Sequence, residues 1–341
     1  MNIKRDSSKV KEGVWFVSDL HLTDREMSST DNMAVNSGRI LDNILNTLIQ
    51  DETIKVLILA GDIQHKIPTN RRLVTSWVIK LNQIKDVLLQ RFPKEAIVYN
   101  KEDIVEEVNP LISLKGNHDI HKEGKYTFFD ELEDLGVVGR YTNLVWKGVQ
   151  YNLYDYGRAG EGLTNEFAKK DNVDKVVGLY HDAFAYDGCP NWMRDNIGNG
   201  VYDLSELEGI DVAVIGHIHD RIKPIKVSHE IGETLFWQPG CIARTSYSAP
   251  NKRDEGYSAL IDSDTLNLYA YDIPVVPYQQ YFKTLTNDLK KERVNGLKEF
   301  SLNLSETVVN FNSYEDEIKA MGVDEEIKDK AIILIDDVQS K

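Results

Sequence analysis

The sequence predicts a mixed α/β (α+β) fold: a two-layer mixed β-sandwich flanked by helices and followed by a C-terminal helical appendage. Three observations predict it. Five short apolar runs stop at polar loops: VWFVSDLHL at Asp19 and His21, VLILAGD at Asp62, PLISLKGNHD at Asn117, His118 and Asp119, VVGLYHD at His181, and DVAVIGHIHD at His217 and His219. Runs of this kind read as strands covered on both faces, and in such sheets ligands sit beyond the carboxyl ends of the strands. Strand-like and helix-like patterns alternate as far as residue 135, whereas β-rich runs dominate from residue 141. Two packed sheets with helices outside them suit that order.

Taken along the chain, the first strand leads into DLH and a polar loop over residues 23–36. A helix follows over 39–49, with Ile40, Leu41, Ile44, Leu45 and Leu48 on one face. The second strand, 56–60, ends at GDIQH; Pro68 and Thr69 then open a long helix over 71–90 that carries Trp77, Ile79, Leu81, Ile84 and Leu88. Residues 93–109 are acidic and show no period. A third strand at 111–114 reaches GNHD, and a helix follows near 128–135. NLVWKGVQYNLYDY reads as a hairpin turning at Lys147 and Gly148, where the pairing is expected to become antiparallel. Buried strands return at 176–180 and 212–215, and runs at 222–227, 234–237, 257–261 and 266–271 read as a closing antiparallel series.

Beyond PVVP at 274–277 the composition turns helical and charged, basic over 278–298 and acidic over 314–341. The expected division is therefore a catalytic domain over 1–275 and an appendage over 276–341. Tyr281, Phe282, Leu285 and Leu289 recur at helical spacing there, which suits either a groove-binding or homodimer-forming element or a helix packed on its own core.

Composition narrows the function classes. With 41% hydrophobic and 28% charged residues the chain reads as a soluble globular protein. Its longest apolar run is too short to span a membrane, and no apolar segment follows the basic start, so a cytoplasmic protein without a membrane partner is expected. Cys189 and Cys241 form neither a disulfide framework nor a zinc pattern and read as buried free thiols. A net charge of −15 opposes nonspecific coating of nucleic acid, although cations can neutralise a local site.

The chemistry lies in the loops. Asp19, His21, Asp62, Asn117, His181, His217 and His219 are carboxylates, imidazoles and one amide, a set suited to two divalent ions such as manganese, iron or zinc, with magnesium also possible, rather than to a thiolate site. In D-x-H and H-x-H, side chains two residues apart at a strand end project to the same side. Two ions about 3.5–4 Å apart can share a hydroxide that attacks phosphorus in line. His118 stands next to a ligand and is placed to give the leaving oxygen its proton. Six of the eight histidines fall in these motifs; His121 and His229 read as ordinary surface or core residues.

The ordered set DLH, GDIQH, GNHD, a lone His181 and GHIH resembles the calcineurin-like metallophosphoesterase superfamily over about residues 14–272. The resemblance implies the metallophosphoesterase fold, with Asp19, His21, Asp62 and His219 at one metal and Asp62, Asn117, His181 and His217 at the other. His118 would be the proton donor or transition-state stabiliser, and Asp119 would help to hold its loop. Phosphoprotein phosphatases carry GDxxDRG and GNHE, whereas here His65 replaces the second Asp and GNHD replaces GNHE. GDIQHKIPTNRRLVTSWVIKL, the helix after GNHD and WQPGCIARTS are similar instead to the SbcD-type DNA double-strand-break repair nucleases, in a compact phage-type form. That branch implies an exonuclease and endonuclease of DNA repair and recombination, a DNA substrate whose backbone His65 contacts, and an SMC-like coiled-coil ATPase partner held by the C-terminal helices. Lys66, Arg71, Arg72 and Arg244 are candidate phosphate contacts. The alternative activity is hydrolysis of nucleotides or other small phosphoesters, and a catalytically silent scaffold is a third reading.

Overall fold

The computed structural model describes residues 9–24, 33–68, 70–121, 123–243 and 255–275. The chain divides into two units, Met1–Lys283 and Thr284–Lys341; all described residues belong to the first. The appendage expected over 276–341, with its dimer or partner surface, lies outside the described residues, as does Arg244.

In chain order the elements are β1 (Gly13–Val17), α1 (Met33–Gln50), β2 (Ile54–Ala60), α2 (Arg71–Leu89), β3 (Ile97–Asn100), β4 (Asp103–Ile104), β5 (Leu111–Leu114) and α3 (Phe128–Asp134). The second half holds β6 (Asn143–Trp146), β7 (Val149–Tyr154), β8 (Lys175–Tyr180), β9 (Ala183–Ala185), α4 (Asn191–Asp195), β10 (Val201–Asp203) and β11 (Val212–Ile215). It closes with β12 (Ile225–Ser228), β13 (Glu233–Trp237), β14 (Glu255–Gly256), β15 (Ala259–Asp262), β16 (Leu268–Ala270) and β17 (Ile273–Pro274). One sheet runs β16-β15-β1-β2-β5 and the other β12-β13-β11-β8-β7-β6-β3-β4, with two small pairs, β9 with β10 and β14 with β17.

Side-chain alternation along the strands builds the layers. In β1, Trp15 and Val17 face the cluster that includes α1, α2 and α3, whereas Val14 and Phe16 face the other sheet. The second sheet does the same: Val177 and Leu179 of β8 and Val212 and Val214 of β11 meet Phe16 and Ile58 in the sandwich, while Tyr180, Ala213 and Ile215 turn to an outer cluster with Phe167 and Leu207. The central strands of both sheets are thus covered on two faces, which is why they read as unbroken apolar runs. Phe16 has no exposed surface, so Phe16→Ala is expected to cost about 3–5 kcal/mol, measured as a lower denaturant midpoint at unchanged slope.

Several expectations need correction. Helix α1 begins at Met33, so the polar loop is shorter than 23–36. The cap of α2 is Asn70, whose side chain accepts from Arg72 N and Leu73 N, in place of the Pro68–Thr69 opening. Ile79 is 54% exposed on the outer face of α2, away from Trp77, Leu81, Ile84 and Leu88. Residues 93–109, unreadable in sequence, contain the β3–β4 hairpin at a sheet edge. The hairpin at Lys147 and Gly148 forms, with both residues at positive φ (52° and 71°). Beyond it, however, β7–β8, β8–β11 and β11–β13 are parallel. Long connections, such as the one carrying residues 159–167, bring each strand back in the same direction. Among the closing strands of the described residues, β12–β13, β15–β16 and β14–β17 pair antiparallel, and the three pairs belong to three different sheets.

Candidate metal centre

The parallel strands set the site. β1, β2 and β5 run parallel in one sheet, and β8 and β11 run parallel in the other. Their carboxyl ends supply Asp19 and His21, Asp62, Asn117 and His118, His181, and His217 and His219. Four of these residues turn sharply at positive φ: Asp19 at 59°, His21 at 44°, Asp62 at 51° and His217 at 76°. Such a conformation costs a non-glycine residue about 1–3 kcal/mol and gathers at functional sites. Here it folds each loop back so that the side chains converge. The crowding also selects glycine: a Cβ on Gly61, itself at φ 80°, would collide with the His181 ring, and one on Gly116 would collide with Asp62 N and Oδ1. Gly116→Ala must therefore displace Asp62, and the expected result is a large drop in bound metal per chain by elemental analysis.

Among the described residues, two clusters that include a carboxylate form. Asp19, His21 and His219 make one, with the two Nε2 atoms 3.2 Å apart and lying 3.8 Å (His21) and 3.5 Å (His219) from Asp19 Oδ1. Asp62, His181 and His217 make the other, with His181 Nε2 3.3 Å from Asp62 Oδ1. Asp62 links them, because its Oδ2 lies 3.9 Å from His21 Nε2. Asn117 joins the second cluster: its carbonyl oxygen lies 3.1 Å from His217 Nδ1 and 3.2 and 3.1 Å from the two Asp62 oxygens. Turning the amide over would convert these contacts into hydrogen bonds. A cation accounts for the orientation as it stands, since an amide oxygen is a ligand and an amide nitrogen is not.

Other atoms point the same way. Asp19 Oδ1 and His181 Nε2 are buried without a hydrogen-bond partner, a costly condition unless something else coordinates them. His181 Nδ1 donates to Ala60 O at 2.6 Å, which leaves the Nε2 lone pair for a ligand bond, the usual arrangement around a metal-binding imidazole. A donor set of nitrogen and oxygen suits divalent ions, and the residues fit them.

The electrostatics agree. Burial holds His21 down to about 3 and His217 to about 4, so both are neutral, the ligating form. At His181 burial opposes charge, but Asp62 and Asp19 raise it to about 9. His219 is raised to about 11 against burial, through Cys241 and Asp19. Asp19 and Asp62 are held below the carboxylate range despite burial, Asp19 chiefly by His219 beside it and Asp62 by the charge of His181. Protons on His181 and His219 occupy the places that cations would take, so metal binding displaces them.

His118 sits at the rim. Its N–H donates to Asp62 Oδ1 at 2.8 Å, and its Nδ1 donates to His65 O at 2.8 Å. The His65 ring stacks on that of His118, centroids 5.2 Å apart and planes 20° apart, and its Nδ1 lies 3.4 Å from His21 Nδ1. His21, His65 and His118 thus make a third group, of imidazoles alone, that borders the first cluster through His21. Burial, then the repulsion of His118, lowers His65 to about 4, so it is a neutral ring wedged between a ligand and the rim histidine. Asp119 is fully buried and accepts from Gly116 N at 2.9 Å, Gln64 N at 3.1 Å and Ile63 N at 3.3 Å, tying the GNHD and GDIQ loops together. Burial and the charge of Asp62 push its carboxyl up to about 7.

Some contributors escaped the sequence reading. Gln64 donates to His118 O at 2.8 Å and accepts from Phe128 N at 3.0 Å, a clamp hidden inside GDIQH. Asp182 accepts from Gly157 N and Ala159 N at 2.9 and 3.2 Å, anchoring the loop that sets Tyr156 5.5 Å from the His217 ring. No pattern near Tyr156 marks it. Arg71 pairs with Glu131 at 3.2 Å at the start of α2, where Arg72 is exposed. His229 contacts Thr234 Oγ1 at 2.8 Å in the β12–β13 hairpin.

A family model described as calcineurin-like phosphoesterase matches residues 13–221. No curated protein matches the chain. Among solved structures, a hypothetical protein from Thermus thermophilus is similar at 11% identity, over 77% of this chain and 100% of that one; its TM-score of 0.36 lends no weight to any functional argument. The family match extends over more than half the sequence, and all seven converging metal-ligand candidates, from Asp19 to His219, fall inside it. The chain belongs to the calcineurin-like phosphoesterase family, and is a metal-dependent hydrolase of phosphoesters.

Proposed function

We propose that the protein is a two-metal phosphodiesterase that cleaves DNA, as exonuclease and endonuclease, within a repair or recombination complex with an SMC-like coiled-coil ATPase. The observation that carries the reading is His65: an imidazole stands where other branches of the family keep Asp, and it lies against both His21 and His118. Bound divalent ions, manganese first, supply charge neutralisation at phosphate oxygens and a more acidic water. The chain's own part is positional and protonic. Asp62 presents one oxygen to each cluster. His118, its Nδ1–H fixed on His65 O, would carry its transferable proton on Nε2; as water adds to phosphorus and the P–O bond to the leaving group breaks, that proton passes to the departing oxygen and the attacking water releases one of its own to solvent. Asp119 and Gln64 hold the loop while this happens.

Full-length protein with manganese, labelled duplex and single-stranded DNA, and bis(p-nitrophenyl) phosphate test the reading. Cleavage of DNA supports it; hydrolysis of the dye with DNA left intact sinks it. That second outcome would favour a small phosphoester as substrate, the reading that the net charge of −15 supports. The ATPase partner is tested by co-purification from the native host, where recovery of the hydrolase without a coiled-coil ATPase removes it from the proposal.

A further inference from the structure

We infer that the cleft beside His118 seats the leaving nucleoside of an oligonucleotide, with Ile67 and Ile120 against its base or sugar and Lys66 and His121 on its next phosphate. This rests on the phosphodiesterase reading above. The cleft measures about 280 Å³ and is lined by Gln64, Lys66, Ile67, His118, Ile120 and His121. That volume lies at the small end for ligand pockets, enough for one nucleoside. Because His118 forms part of the wall, whatever fills the cleft lies on the side to which the proton is delivered.

The lining is chemically matched to that occupant. Ile120 is 46% exposed directly after the GNHD loop and gives the cleft an apolar wall. Lys66 takes part in no ion pair among the described residues. His121 Nδ1 accepts from Glu123 N at 3.2 Å, which leaves Nε2–H as a second donor. Gln64, at the floor, is 1% exposed with both ends of its amide engaged, so it shapes the cleft without competing for the ligand. Two free donors beside two apolar side chains suit a nucleoside carrying a phosphate. A larger cleft of about 530 Å³ lies at the amino ends of β7, β8 and β11, but Lys147, Lys175 and Lys226 in it are all neutralised by carboxylates.

The test compares kcat/KM of the manganese-loaded full chain on bis(p-nitrophenyl) phosphate, on a plain dinucleotide, and on dinucleotides with an extra phosphate at the 3′ or the 5′ end. One of the two phosphorylated forms, the one extending the leaving nucleoside, is expected to be favoured about tenfold over the plain dinucleotide, the scale of a charge-assisted hydrogen bond. Lys66→Met should remove that preference and Lys66→Arg should restore most of it. Ile120→Asp should lower the dinucleotide-to-dye ratio about tenfold; both positions are exposed, so folding is not at stake. Dinucleotide cleavage without any gain from the phosphate, or with a gain that survives Lys66→Met, overturns the cleft inference and leaves the phosphodiesterase reading intact. Dye hydrolysis without dinucleotide cleavage removes the DNA reading and this inference with it.

Discussion

Asp62→Ala is expected to strip the centre of metal and to lower turnover by at least about 10³-fold, the several kcal/mol that bound ions supply in phosphoester hydrolysis. The reason is geometric. Among the described residues, Asp62 is the side chain with an oxygen toward each cluster, 3.3 Å from His181 Nε2 and 3.9 Å from His21 Nε2, and it is also the acceptor for His118 N–H at 2.8 Å. Its removal therefore loosens both clusters and the loop of the proton donor together. Elemental analysis should show loss of both ions. Asp62→Asn, which keeps the shape and removes the charge, should retain the fold by circular dichroism while losing most of the metal. An Asp62→Ala protein that keeps two ions per chain, or turns over within tenfold of the wild type, would remove Asp62 from the linking position.

How much of this was legible beforehand follows from the physics of each part. The strands feeding the site could be read because burial on both faces leaves no room for polar residues between Val14 and Val17 or between Val212 and Ile215. Their loops could be read because carboxylates and imidazoles concentrated at strand ends have few roles other than binding. The parallel order of β7, β8, β11 and β13 could not, since direction is decided by the connections and leaves no trace in a buried strand. Nor could the positive φ of Asp19, His21, Asp62 and His217, because glycine is the residue that ordinarily marks such a turn. These strained positions are where local preference yields to the site. The edge hairpin of β3 and β4 hides for a different reason: Ile97 and Ile104 are exposed, so alternation between core and solvent is lost.

The site also shows why residues that bind no ion belong to the machinery. His65 supports His118 through its carbonyl and its ring, and meets His21 at Nδ1, the ring nitrogen turned away from Asp19 and Asp62. Asp119 and Gln64 fasten the same loop from beneath. Two contacts from His65 thus hold the imidazole itself and Asp119 and Gln64 hold its loop, the precision a proton donor needs, because small displacements of a catalytic group cost orders of magnitude in rate.

His118→Asn should accordingly reduce kcat by about 10²–10⁴-fold on substrates with a poor leaving group and leave metal content unchanged, since His118 lies outside both clusters that hold Asp62 or Asp19. The chemistry makes a sharper demand. A nucleoside alkoxide cannot depart without a proton, whereas p-nitrophenolate is stable enough to leave unaided. The loss should therefore be far smaller for the p-nitrophenyl ester of thymidine monophosphate than for a dinucleotide, and the two reactions measured side by side decide the role. Unequal losses assign His118 to protonation of the leaving oxygen. Equal losses on both substrates assign it instead to holding the phosphate or to the hydrogen bond with Asp62 Oδ1, and the proton must then come from elsewhere.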